Sequence, residues 1–240
     1  MGHIERVVRC GRRLFFGVVT TLLFFLTFIL AGCGNNRADS KESTAADGDI
    51  VDTVGHFNPI DYGSFTDSRD GRIYRTVVIG TQVWMAENLN YASEYSWCYH
   101  EDESNCQKYG RFYDWESALS ACPAGWRLPT DNDWTILVRF ASTDDINANS
   151  GMRLKATTGW VDDGRGFIPG TDDFGFSALP GGYWHYDFWS IGKISAWWSA
   201  TEAGAISAIF RFILSPNSVP VVHRRSFKRN SGFSVRCLQD

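Results

Sequence analysis

"PTDNDWTILVRFAS", residues 129–142, carries the signals of a helix in the order a helix needs them. Thr130 is placed as N-cap, and Asp131 and Asp133 put negative charge in the first turn, where unpaired backbone N–H groups favour it. Trp134, Leu137, Val138 and Ala141 then recur on one face. The stretch predicts a helix with a single buried side. Just before it, "DWESALSACP" (114–123) begins with a capping Asp114, carries Ala118, Leu119 and Cys122 at helical spacing, and stops at Pro123. A second, shorter helix is expected there.

Outside these two segments the pattern is that of strands. "RIYRTVVIGTQVWMAENL" (72–89) puts β-formers on both sides of Gly80 and Thr81, which suits a hairpin with a two-residue type II′ turn. "AISAIFRFILS" (205–215) places Ile206, Ala208, Phe210, Phe212 and Leu214 on one side, and "GFSVRCL" (232–238) reads as a closing strand. Helices in the middle and sheet at both ends predict an α+β domain with its termini brought together. The expected fold has two short helices and a twisted, mostly antiparallel sheet.

The amino terminus has a different logic. Four arginines (Arg6, Arg9, Arg12, Arg13) precede an apolar run from Leu14 to Ala31, the order of an export signal. Eighteen residues also suffice for a membrane span. Leu30, Ala31, Gly32 and Cys33 resemble the lipobox of bacterial lipoproteins, which implies cleavage before Cys33 and acylation of that residue. Several acyl chains on one residue satisfy the two-signal requirement for stable anchoring. Residues 34–55 lack aromatics and are rich in Asn, Ser, Asp, Ala and Gly, so they read as a tether. The expected organisation is a signal peptide over 1–32, a lipidated Cys33 and linker over 33–57, and a folded domain over 58–240. Gly34 is not the Asp that retains many lipoproteins at the inner membrane, which points to a lipid-anchored protein of the cell envelope at the outer membrane.

Charge narrows the partners. The chain has a formal charge of −4. Without residues 1–32 it carries 19 basic and 26 acidic residues, a poor endowment for neutralising phosphate backbones, so nucleic acid is excluded as an expected partner. Besides Cys10 and Cys33, four cysteines remain: Cys98, Cys106, Cys122 and Cys237. An even set in an exported chain reads as two disulfides, with three connectivities open. The spacings lack the short gaps of a four-cysteine zinc site.

"VVIGTQVWMAENLNY", "YGRFYDWESA", "CPAGWRLPTDNDW", "FGFSALPGG", "WWSATE" and "FSVRC" follow one another in an order and spacing that resembles the Fibrobacter succinogenes major paralogous domain family, over about residues 66–240. Its members are typically exported, many of them lipoproteins, and no established activity comes with the family. "GWRLPTDNDW" and "GFSVRC" are more distantly similar to formylglycine-generating proteins, which implies a C-type-lectin-like fold. The resemblance also implies the pairings Cys98 with Cys106 and Cys122 with Cys237.

No catalytic residue, cofactor or metal site is expected. Formylglycine-generating enzymes bind copper through paired cysteines near the carboxyl end, where this chain has only Cys237. His56, His100, His185 and His223 stand far apart, with no i, i+4 pair for a non-haem iron site. Asp162, Asp163, Asp172 and Asp173 lie in a glycine-containing segment and read either as calcium ligands or as turn residues of a solvated loop, the latter favoured. "HRRSFKR" (223–229) reads as an anion-binding stretch or, preferentially, as a charged guard on a sheet edge. Aromatics crowd residues 183–198. Tyr183, Trp184, Tyr186 and Trp189, interleaved with His185 and Asp187, are the candidate ligand-binding residues, because aromatic faces suit the C–H faces of sugar rings. The expected function is non-catalytic binding or adhesion, of polysaccharide or envelope proteins; the alternatives are an enzyme on a formylglycine-generating-like scaffold and a structural protein-binding role.

Overall fold

A computed structural model describes residues 60–142, 148–162, 164, 167–215 and 220–240. The chain divides into Met1–Gly55 and His56–Asp240, and everything described belongs to the second unit. The apolar leader, Cys33 and the whole of the expected linker lie outside the described residues.

In chain order the elements are β1 (Tyr62–Thr66), β2 (Ile73–Ile79), β3 (Gln82–Met85), β4 (Ser96–Trp97), a 3-10 turn (Tyr99–Glu101), α1 (Glu103–Tyr109), β5 (Phe112–Tyr113), α2 (Trp115–Ala121), β6 (Trp126–Arg127), α3 (Asp131–Ala141) and α4 (Ser150–Leu154). There follow β7 (Tyr183–Trp184), β8 (Phe188–Trp189), β9 (Ile194–Glu202), β10 (Ser207–Leu214), β11 (His223–Lys228), β12 (Phe233–Ser234) and β13 (Leu238–Gln239). The fold is α+β with mostly antiparallel sheets. One sheet runs β1-β2-β3-β13-β6, the other β11-β10-β9-β12-β5-β4, and β7 with β8 forms a separate hairpin. Only the β12–β9 pair is parallel among these strands.

The two expected helices form where their caps are. Thr130 Oγ1 accepts from Asp133 N, and Asp133 Oδ2 accepts from Thr130 N, a closed capping box that satisfies two N-terminal donors of α3. Its buried side is Trp134, Leu137, Val138 and Ala141. Asp114 Oδ1 accepts from Ser117 N and starts α2, but Leu119 points to solvent and the helix buries Trp115, Ala118 and Ala121 instead. The β2–β3 hairpin turns at Gly80–Thr81, with Ile79 opposite Gln82. Positive φ falls at Gly80 and not at Thr81, as a type II′ turn requires.

Three expectations need correction. There are four α-helices among the described residues rather than two: α1 lacks an apolar stripe and is held by its Asp102 cap and the Cys98–Cys106 bridge, and α4 has only five residues. Ile206 is exposed and precedes β10, whose two faces are both largely buried or half-buried. The terminal "GFSVRCL" is not one strand: β12 joins one sheet, β13 the other, and Val235, Arg236 and Cys237 cross between them.

Strand β9 separates two cores. Trp197 faces Trp84, Trp134, Leu137, Phe176 and Ile213, while Trp198 faces Tyr74, Tyr113, Trp115, Phe233 and Val235; both tryptophans are fully buried. The bridges are Cys98–Cys106 and Cys122–Cys237. Gly110 ends α1 at φ +76, where a Cβ would stand 2.6 Å from Asn88 Cβ. A side chain there would displace Asn88, whose role is described below.

Candidate functional site

Residues opposite each other in neighbouring strands project from the same face of a sheet. Arg211, on β10, donates to Asp131 Oδ1 (2.9 and 2.6 Å), and Arg224, on β11, donates to Asp131 Oδ2 (2.8 Å). This pairing ties α3 to one face of β10 and β11. On the other face Phe210 stands opposite Arg225 and Trp198, Phe212 opposite His223 and Ala196, and Leu214 opposite Ile194. No helix among the described residues packs over this outer half.

The aromatic rings there are ordered. Phe233 stacks on Phe210 (4.5 Å, 8°), Phe210 on Phe212 (5.1 Å, 17°), and Phe212 on His223 (4.8 Å, 20°). A row of near-parallel rings crosses the sheet. Phe210, Phe212 and Phe227 remain half-buried. Together with Tyr183, Ile194 and Phe233 they line an apolar groove of about 140 Å3.

The β7–β8 hairpin walls this groove. Tyr183 lies 5.8 Å from Phe233, and its cross-strand partner is Trp189, so Trp189 stands beside Tyr183 on the groove side. Trp189 is 50% exposed, and its Nε1 donates to His185 O (3.3 Å). Trp184 projects from the hairpin's other face and stacks on Trp97 (4.9 Å, 17°), while Phe188 packs on Tyr99 (5.2 Å). The approach of this hairpin to the sheet depends on Gly232, whose backbone exchanges hydrogen bonds with Trp184 and where a Cβ would meet Phe112 and Trp184 at 3.1 Å. Tyr186 forms the tip at φ +60 and is 73% exposed. It borders a shallow cleft of about 420 Å3 with Glu116, Ile206, Lys228 and Arg229.

The four aromatics singled out by the sequence therefore divide. Tyr183 lines the groove with Trp189 beside it across the hairpin, Tyr186 caps the tip, and Trp184 packs elsewhere. Phe210, Phe212 and Phe227 complete the groove without having been foreseen. Their alternation marks a strand face, but strand periodicity does not say whether anything covers it.

Polar groups lie at the margins. His185 Nδ1 is 2.8 Å from Ser231 Oγ, and the ring meets Phe227 edge-on (4.9 Å). Burial, and then the charge of Lys228, lowers the His185 pKa; burial, and then Arg225, lowers that of His223. Both rings are thus neutral at neutral pH, with one N–H donor and one acceptor nitrogen each. Arg225 is exposed on the groove side of β11. The rest of the basic stretch is largely engaged: Arg229 pairs with Glu116 and Glu202, and β11 is the edge strand of its sheet.

The acidic segment does not converge. Asp172 accepts from Ser177 N and Oγ, Asp173 pairs with Arg153, and Asp162 accepts from Gly164 N; Asp163 lies outside the described residues. Among the described residues the only close group of potential metal ligands is Cys98, Glu103 and Cys106, and its two sulfurs are bonded to each other.

These features define a disulfide-bonded α+β domain with an uncovered aromatic sheet face. No helix among its described residues is long and apolar enough to cross a membrane. The chain belongs to the Fibrobacter succinogenes major domain family, whose model matches residues 77–239. No curated protein and no solved structure matches it.

Proposed function

We propose that the protein is a lipid-anchored, non-catalytic binding module of the cell envelope that holds polysaccharide along the aromatic groove and its hairpin. The observation carrying this reading is the contiguous row of Phe210, Phe212 and His223, half-buried and stacked on the buried Phe233, beside the exposed Trp189. The row runs across neighbouring strands, as contact with an extended ligand requires. Trp189 and Tyr186 offer ring faces to sugars, and neutral His185, whose Nδ1 meets Ser231 Oγ, has Nε2 to exchange a hydrogen bond with a hydroxyl. A C-type-lectin-like arrangement of the domain is part of the proposal, supported by β13 pairing with β3, which brings the two ends of the domain into one sheet. A second reading, contact with another envelope protein on the same face, is favoured by the apolar lining.

The test is retention of the full chain, in detergent, on insoluble glucan and xylan. Wild type is expected to be retained at moderate salt, since stacking does not rest on ion pairs. Trp189→Ala should weaken retention about three- to tenfold, the loss of roughly one aromatic contact. No retention on either glycan by folded wild type, or equal retention of Trp189→Ala, removes the polysaccharide reading.

Anchoring is proposed on "LAGC" behind an arginine-flanked apolar run, with outer-membrane sorting supported by Gly34. Mass spectrometry of the mature protein should find an acylated Cys33 at the amino terminus, and Cys33→Ser should remain unprocessed there. Intact residues 1–32 in the mature wild type would overturn it.

A further inference from the structure

Between the start of β2, the segment Ala86–Asn90, the end of α1 and Leu179 lies a partly enclosed cavity of about 220 Å3 that shares no lining residue with the aromatic groove. Arg236, 1% exposed, lines it. Its guanidinium donates through Nε and Nη2 to Asn88 Oδ1 (3.1 and 2.8 Å) and through Nη1 to the Phe176 carbonyl. Asn88 Oδ1 also accepts from Trp197 Nε1 (2.8 Å). These bonds use three of the five guanidinium N–H groups.

No carboxylate among the described residues forms an ion pair with Arg236; Asp172 and Glu87 act on it only through their fields. Burial pushes the guanidinium down to about 9, the mark of a charge removed from water without a counterion. Asn90 provides a separate sign. It is 7% exposed, it lines the same cavity, and both polar atoms of its side-chain amide are buried with no hydrogen-bond partner among the described residues. Buried polar groups are rarely left so unless something else meets them. Arg72, Arg75 and Lys108 also line the cavity, against the single acid Glu87, which Arg75 already holds at 2.7 Å. The cavity is a positive pocket in an acidic domain.

The geometry points to a binding site for a small hydroxylated carboxylate, its acid group on the spare Arg236 N–H groups and near Lys108, and a hydroxyl on the Asn90 amide. An amide both donates and accepts, as a hydroxyl does. The volume is below the roughly 300–1,000 Å3 of clefts for drug-sized ligands, which limits the occupant to about one sugar acid.

Calorimetric titration of the full chain in detergent with glucuronate, glucose and inorganic phosphate tests this. Glucuronate should bind, and glucose, lacking the carboxylate, should bind at least about tenfold more weakly. Asn90→Asp, nearly isosteric, sets a like charge against the ligand and should abolish binding. Lys108→Glu alters only an exposed side chain, so it keeps the test valid if Asn90→Asp fails to fold, and it should weaken glucuronate about threefold or more. Four results overturn the site: no heat with glucuronate up to about 10 mM, glucose binding equally well, phosphate binding as tightly as glucuronate, or Lys108→Glu leaving affinity unchanged.

Discussion

In urea without reductant, the double variant Cys122→Ala/Cys237→Ala unfolds with a loss of about 4–5 kcal/mol, and Cys98→Ala/Cys106→Ala with a loss of about 2–2.5 kcal/mol. The difference comes from what each bridge closes. Their sequence separations are 115 and 8, and the chain-entropy model converts these to about 4.8 and 2.5 kcal/mol of constraint on the unfolded chain. Position reinforces the order. Cys237 is buried at the crossover between β12 and β13, and its carbonyl accepts from Met85 N (3.1 Å), so its bridge fastens α2 to the one segment that enters both sheets. Cys98 and Cys106 fasten a 3-10 turn to the helix that follows it. Replacing both members of each pair leaves no odd thiol to reshuffle. Equal losses for the two variants, or a larger one for the short loop, would contradict the assignment of the long bridge as the principal staple.

Local chemistry was legible and coverage was not. The capping box at Thr130, the Asp114 cap and the Gly80 turn are decided within a few residues, and each formed where the sequence placed it. Leu119 and Ile206 misled because apolar periodicity identifies a face without saying what lies opposite. Helix α1 was missed for the converse reason: its seven residues, five of them polar besides Cys106 and Tyr109, show no stripe until a bridge and a cap hold them. The site divides in the same way. Tyr183 and Trp189 were found from aromatic density, but the groove is completed by phenylalanines from β10, β11 and β12, whose meeting depends on register. The family resemblance supplied the two pairings that cysteine counting left open. Neither Asn90 nor Arg236 carried any signal in sequence, because an unmet hydrogen bond exists only once the chain has closed around it.

Trp197→Ala should be among the most damaging single substitutions in the domain, costing about 3–5 kcal/mol. The ring is fully buried against Trp134 (5.5 Å) and Phe176 (5.7 Å), at the point where β9 meets both β10 and β12. Truncation opens a void that rigid neighbours on both strands cannot fill. It also removes the Nε1 donor to Asn88 Oδ1, although Arg236 still donates to that oxygen. Trp197→Phe therefore leaves no orphaned acceptor and a smaller void, and should cost about 1–2 kcal/mol. Trp189→Ala, from the same aromatic run but half exposed, should stay within about 1 kcal/mol of wild type. Urea midpoints for the three variants at equal slope give the comparison. The contrast separates two kinds of tryptophan that aromatic density in sequence treats alike: one that the fold requires, and one left at the surface for a ligand. A Trp197→Ala protein as stable as Trp189→Ala would mean that the two cores do not meet at β9 as described.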